Sequence, residues 1–392
     1  MEVEVDELGP ERESLARFTI KQRTRPAIYW YRTPVPPESL KALHERSDVH
    51  GTMQTLGFLG CYGLTLAAVL YSFFHGPVWL TVGLVFLHGM IAAFMINGVH
   101  ELGHGTVFRT RRLNDFFAPI LAFLGWINHL TFAASHTRHH RYTLHPPDDL
   151  EVILPMKLVL RDILKHGLID LPHFYKTMSD TWRLAAGRFR GEWETTLYPE
   201  NEPLLRVRPV RWARILILGH GLILALSLWQ GWWLLPILIS LAPFYGGWLF
   251  FLCNHTQHIG LVHDTPDYRL CCRTFTLHPF IGFLYWHMNY HTEHHMYPGV
   301  PCYSLHRLHD LFAMTFPAAP TVWRPSGGKS RGCKKNRGRG IFGRPLRPPD
   351  SGQTGPRYVP SLRGDISSRG IWFRNLVPDG TFLTGQKSQA AL

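Results

Sequence analysis

The chain has 392 residues, enough for one large domain or two of ordinary size, and a formal net charge of +13. That charge does not mark a nucleic-acid binder, because residues 324–392 carry 14 Lys+Arg against 3 Asp+Glu and leave only +2 for the rest. The six cysteines show no C-x-x-C spacing and no framework of a small secreted domain, so they read as free thiols in a reducing compartment.

Residues 1–54 are polar and proline-punctuated, with no cleavable-signal pattern, and read as a cytosolic surface arm. Tyr29, Trp30 and Tyr31 are expected to lie on a membrane or in a partly ordered terminus. Four apolar runs follow, at about 55–74, 78–98, 213–229 and 232–252, each near the roughly 20 residues needed to cross a bilayer as a helix. His75-Gly76-Pro77 and Gln230-Gly231 join them in pairs, and Trp79, Trp229, Trp232 and Trp233 cluster at these joints as an interfacial belt would. The expected fold is therefore an all-α integral membrane protein with four transmembrane helices in two hairpins. A cytosolic helical cap would hold the loop 99–212 and the segment after 252.

The loop is basic, with Arg109, Arg111, Arg112, Arg138, Arg141, Arg183, Arg188 and Arg190, whereas the joints carry no charge. The positive-inside rule then puts the loop and both termini in the cytosol. Phe116–Ala134 and Phe275–Trp286 are also apolar, but Pro119, Asn128 and His129 interrupt the first, and the second is too short to span. Both are expected to be interfacial or re-entrant. The membrane domain is taken as 55–323. The basic tail 324–392 has the composition of disordered chain and is assigned no chemistry.

Twenty-four histidines are more than a core requires. Eight fall in three boxes: His100-Glu101-Leu102-Gly103-His104, His136-Thr-Arg-His139-His140 and His291-Thr-Glu-His294-His295. Histidines at i, i+3 and i+4 share one side of a helix, so each H-x-x-H-H box is expected to offer three imidazoles to a common point. Alone, the first box fits the zinc-protease pattern H-E-x-x-H with Glu101 as base, but that leaves both later boxes idle. Eight or more imidazoles exceed one ion and suit two transition-metal ions. The boxes reach one membrane face only if Phe116–Ala134 does not cross. A metal carrier or sensor without catalysis is the third reading.

In this order, alternating with two membrane hairpins, the boxes resemble the membrane fatty acid desaturase and hydroxylase superfamily, over roughly residues 55–312. Asn254-His-Thr-Gln-His258 is similar to an N-x-x-x-H element of that superfamily. The resemblance implies a ninth histidine ligand at His258, with His255 as its rival. It also implies Asn254 as an indirect ligand, held through a water or behind the metal ligands.

It further implies two iron ions ligated by His100, His104, His136, His139, His140, His258, His291, His294 and His295, with dioxygen as co-substrate and no catalytic residue beyond the ligands. The implied reaction is desaturation of a fatty acyl chain or other lipophilic metabolite, with hydroxylation as the alternative. No H-P-G-G haem element is present in the sequence. A separate electron donor of cytochrome b5 or ferredoxin type with its reductase is therefore implied, as is an endoplasmic reticulum location in a eukaryote.

Ligand rings are usually oriented by acceptors for their other N–H. Glu101, Asp148, Asp149, Asp264, Asp267 and Glu293 are the candidates, unassigned among themselves. Trp286 and Tyr290 are candidates for the substrate passage or for packing. His88, His129, His145, His220, His278, His287, His306 and His309 default to structural or interfacial roles.

Overall fold

The computed structural model describes residues 28–154 and 159–312, and of His166 the backbone alone. The tail 324–392 and residues 1–27 of the arm lie outside the described residues. Among the described residues, sixteen α-helices and two 3-10 turns account for the regular structure, and the only β pairing is three isolated bridges.

A short helix α1 (Pro37–Leu43) precedes α2 (Asp48–His75), which Ser47 caps by accepting from the amide of His50 at 3.3 Å. At 28 residues α2 is roughly 42 Å long. After Gly76-Pro77 the chain returns as α3 (Val78–Ala92) and, past a slip at Ala93–Phe94, α4 (Met95–His104). The third long apolar helix is α10 (Pro203–Trp229). Only 22%, 33% and 22% of the most apolar stretches of α2, α3–α4 and α10 are buried, so most of their surface has no protein partner. Leu64, Tyr71, Phe74 and Val82 on the first hairpin, and Leu218, Leu222 and Leu228 on α10, stand exposed. Helices that satisfy their own backbone while presenting such faces are solvated by hydrocarbon, and the chain is an integral membrane protein. Phe73 meets Trp233 edge-on at 5.4 Å, which brings the two short joints side by side.

The fourth apolar run departs from the expected continuous span. It breaks into α11 (Leu234–Ile239), a 3-10 turn (Ala242–Phe244) and α12 (Trp248–Thr256). Pro236 and Pro243 remove amide donors, and Gly246 takes a left-handed φ of 70° that a side chain would resist. Carbonyls of α11 and its end find side-chain donors outside that helix. Leu238 O accepts from Tyr62 Oη (3.0 Å) and lies 2.8 Å from His88 Nε2, Ser240 O accepts from Trp126 Nε1 (2.6 Å), and Ile237 O accepts from Tyr245 Oη (3.1 Å). His220 reaches Ser240 Oγ through Nδ1 (2.9 Å) and Phe123 O through Nε2 (3.0 Å). His88 and His220 are thus structural, as the sequence reading had them.

Phe116–Ala134 is not a straight span either. It falls across α5 (Arg111–Leu124) and α6 (His129–Tyr142), whose axes turn by 108°. Asn128 makes the corner: its Oδ1 accepts from Thr131 N at 3.2 Å, and its Nδ2 donates to Pro209 O at 2.9 Å. Phe275–Trp286 contains only the six-residue α14 (Pro279–Leu284). The remaining helices are α7 (Leu160–Gly167), α8 (Leu171–Ala185), α9 (Gly191–Leu197), α13 (Tyr268–Cys271), α15 (His291–Met296) and, after the 3-10 turn Cys302–Ser304, α16 (Leu305–Phe312).

Close packing where α3 crosses the broken limb rests on Gly89. A Cβ there would lie 2.3 Å from Tyr245 O. Gly89→Ala is expected to cost about 1–3 kcal/mol through overpacking. Thermal unfolding in detergent checks this, and an unchanged midpoint would contradict so close a crossing.

Two of the three N-terminal aromatics contact protein. Trp30 stacks on Tyr268 (4.2 Å) and donates to Arg141 O (3.0 Å), while Arg269 lies 3.9 Å over the Tyr31 ring. Tyr29 is open at 91% exposure, and Tyr31 is exposed at 37%.

Candidate metal centre

Each box begins as local helix geometry. His100 and His104 sit one turn apart on α4, and their rings are 4.8 Å apart. His136, His139 and His140 end α6, and His291, His294 and His295 form α15. His258 follows the end of α12 in a turn.

All nine predicted histidines come together, but in two groups. His100, His104, His136, His140 and His294 form one, and His139, His258, His291 and His295 the other. Within each group the ligand atoms lie within 4.8 Å of one another. The expectation that each H-x-x-H-H box converges on one point is corrected: each box divides between the groups. At about 100° per residue, positions i and i+4 lie about 40° apart, whereas i+3 falls about 60° to the other side of i. So His136 and His140 face one group while His139 faces the other, and His291 and His295 face one while His294 faces the other. The groups adjoin through the His140 and His295 rings, 4.4 Å apart.

Nitrogens crowd where donors to a shared ion would. Nε2 atoms face each other at 3.1 Å (His140–His294), 3.0 Å (His258–His291) and 3.1 Å (His291–His295). Nε2 of His100, His104 and His136 is buried with no hydrogen-bond partner among the described residues. Buried polar atoms are rarely left so, and three orphaned imidazole nitrogens within one group fit a metal ion in their midst.

The opposite ring nitrogens are held from behind. His100 Nδ1 meets Glu101 Oε1 at 2.9 Å, His139 Nδ1 meets Asp149 Oδ2 at 2.8 Å, and His136 Nδ1 meets Glu151 Oε1 at 2.7 Å. His258 Nδ1 donates to Cys271 O at 2.7 Å, and His295 Nδ1 lies 3.2 Å from Thr143 Oγ1. Such partners fix ring orientation and present the other nitrogen as the ligand atom.

Of the six carboxylates named from sequence, Glu101 and Asp149 hold a ring of the two groups. Asp148 pairs with Arg138 (3.5 Å), Asp264 with His263 (2.6 Å) and Asp267 with Arg269 (2.7 Å). Glu293 turns away to His309 Nδ1 (2.5 Å) and Thr274 Oγ1. Glu151 was missed; the acidic run Asp148-Asp149-Leu150-Glu151 was the available signal. The Cys271 carbonyl and Thr143 carry no signal at all.

His255 is outside both groups, with Nδ1 2.9 Å from Phe251 O, whereas His258 is inside one. Asn254 is half-buried on α12, one turn before His258. Trp286 is fully buried, 5.7 Å from the Phe58 ring, which is a packing position.

Burial, reinforced by neighbouring imidazoles, pushes His291, His294 and His295 well below the ordinary histidine range. The neutral ring is the form that binds metal. Burial also lifts the Glu151 carboxyl to about 7.

A family model described as fatty acid desaturase matches residues 77–327, well over half of the chain and inclusive of all nine histidines. The chain belongs to the fatty acid desaturase family. A comparison with curated proteins gave no match. Family membership implies an oxidoreductase of the desaturase or hydroxylase type, and the two histidine groups are compatible with the metal binding such chemistry uses.

Proposed function

We propose that the chain is a membrane-bound, oxygen-dependent desaturase that introduces a double bond into a fatty acyl chain or other lipophilic metabolite through a di-iron centre. The observation that carries this reading is the gathering of nine buried or half-buried imidazoles into groups of five and four, two adjacent sites rather than one. His100, His104, His136, His140 and His294 would hold one iron ion, and His139, His258, His291 and His295 the other. Asn254 is an indirect ligand beside His258. Bound iron would supply the redox chemistry by which dioxygen removes hydrogen from an unactivated C–H bond.

The chain's own residues perform the rest. Glu101, Asp149, Glu151, Thr143 and the Cys271 carbonyl lock the ring orientations. Trp30, stacked on Tyr268, covers the side on which the Tyr268 ring lies 5.4 Å from His295 and helps exclude water. Placement at the end of the apolar helices suits a substrate whose reactive carbon arrives from the bilayer. Electrons come from a separate cytochrome b5-type or ferredoxin-type donor with its reductase. The boxes and both termini face the cytosol, at the endoplasmic reticulum in a eukaryote. Hydroxylation is the alternative outcome of the same centre.

The zinc-protease reading loses support from the placement of Glu101. Its carboxylate lies behind His100, on Nδ1, and 3.7 Å from His294 Nδ1, not beside the orphaned Nε2 atoms. That reading also leaves seven grouped histidines without a use.

The test is metal analysis of the purified chain together with untargeted lipid mass spectrometry of cells expressing it with a reductase. About two irons per chain and a new double bond are expected, in line with a two-ion histidine site. A single zinc without iron, or an unaltered lipid profile, would sink the proposal.

A further inference from the structure

We propose that residues 160–185 form a second re-entrant membrane element, a hairpin of α7 and α8 whose outer face contacts lipid hydrocarbon. The positive-inside reading would leave this segment in the cytosolic loop.

Depth follows from what the tip touches. Between α7 and α8, Leu168–Asp170 pairs with the break in the fourth limb: Gly246 N donates to Leu168 O (2.9 Å), Asp170 N donates to Phe244 O (2.7 Å), and Ile169 bridges Tyr245 in antiparallel fashion. That break is level with the middle of the Val78–His104 span formed by α3 and α4. A Cβ on Gly89 would lie 2.3 Å from Tyr245 O, and one on Gly246 would lie 2.4 Å from Phe86 O. Gly89 is eleven residues into α3, roughly 17 Å from the joint at Pro77, about half of a hydrocarbon core of roughly 30 Å. The hairpin tip is therefore near the bilayer midplane.

Both limbs rise from that tip toward the histidine end. Helix α7 packs along α12, with Gly167 so close to Trp248 that an added Cβ would sit 2.5 Å from the Trp248 Cβ. Helix α8 packs along α10, and its far end is pinned where Arg214 Nε donates to Ala185 O at 2.9 Å. Non-helical backbone at mid-bilayer survives only if its polar groups are satisfied by protein. The two interrupted segments do this for each other.

The outward face fits hydrocarbon. Leu160, Leu164 and Leu168 fall four residues apart along one side and are 69%, 53% and 56% exposed. Ile169, Leu171 and Tyr175 extend the patch at 58%, 54% and 67%. A contiguous apolar surface of this kind continues the exposed faces of α10 and the first hairpin and has the same solvent. Several polar groups of the hairpin are engaged, while the exposed Lys165 would carry its ammonium toward the interface on its aliphatic stem. Asp170 Oδ1 accepts from His173 N (2.9 Å), Lys176 pairs with Asp180 (3.6 Å), and Arg161 opens α7 where its head reaches the interface.

The test places the full chain in phosphatidylcholine nanodiscs doped with diazirine lipids. One probe carries the diazirine at mid-acyl chain and the other in the headgroup, and crosslinked peptides are mapped by mass spectrometry. Mid-acyl labelling of residues 164–175 is expected to match that of 215–228 and to exceed that of 192–202 at least about tenfold, as burial in the hydrocarbon core requires. Labelling by the headgroup probe alone, or mid-acyl labelling no higher than that of 192–202, would overturn the proposal.

Discussion

Replacing His294 by alanine is expected to abolish product formation and to strip iron from the chain. His294 is fully buried in the group of five, its Nε2 3.1 Å from His140 Nε2 and its Nδ1 3.7 Å from Glu101 Oε1. Its ring also lies 5.9 Å from that of His295 in the other group, so the substitution removes a donor where the two groups meet. Removing an outer partner of a metal ligand typically costs 10–100-fold in affinity or activity, and losing the ligand itself should exceed about 100-fold. Iron content should fall from about two per chain to one or fewer, read by metal analysis, with product read by lipid mass spectrometry. A His294→Ala chain that keeps both its iron and its product would refute the assignment.

The second large effect is expected at Asp149. This carboxylate is fully buried and accepts three hydrogen bonds, from His139 Nδ1 (2.8 Å), Leu144 N (2.8 Å) and Glu151 N (2.9 Å). Every partner is a donor, so an amide NH2 in place of one oxygen meets a donor face to face. Asp149→Asn is expected to weaken iron retention in the group of His139, His258, His291 and His295 by about 10–100-fold. Leaving a buried donor unpaired adds about 1–3 kcal/mol of destabilisation. Iron titration and thermal unfolding measure the two effects separately. Near-normal iron affinity would mean that the His139 ring is held by packing alone.

Sequence reading located the donor set because histidine spacing is a local property of a helix. It could place His136, His139 and His140 on one side of α6, but not assign them between the two groups. That assignment depends on what stands opposite each ring, and only the assembled bundle supplies His100 on one side and His258 on the other. The choice of His258 over His255 likewise turned on where α12 ends. Glu151 escaped because it reaches His136 through the turn after α6, across 15 residues that follow no helical period. The fourth apolar run was misread as one helix because composition alone does not distinguish a continuous span from an interrupted one. Pro236, Pro243 and Gly246 carried the missing signal.

That interrupted limb also constrains the order in which the protein is built. A continuous apolar helix can enter lipid alone, since every carbonyl before its last turn has a partner within the segment. The stretch from Leu234 to Thr256 has no such independence: Leu238 O depends on Tyr62 and His88, and Ser240 O depends on Trp126. Those donors come from α2, α3 and the corner after α5, all synthesised earlier. The first hairpin and that corner must therefore already be in the bilayer when the limb arrives. His258, at the limb's end, joins its group only after that docking, so the group of His139, His258, His291 and His295 stays incomplete until the limb is seated.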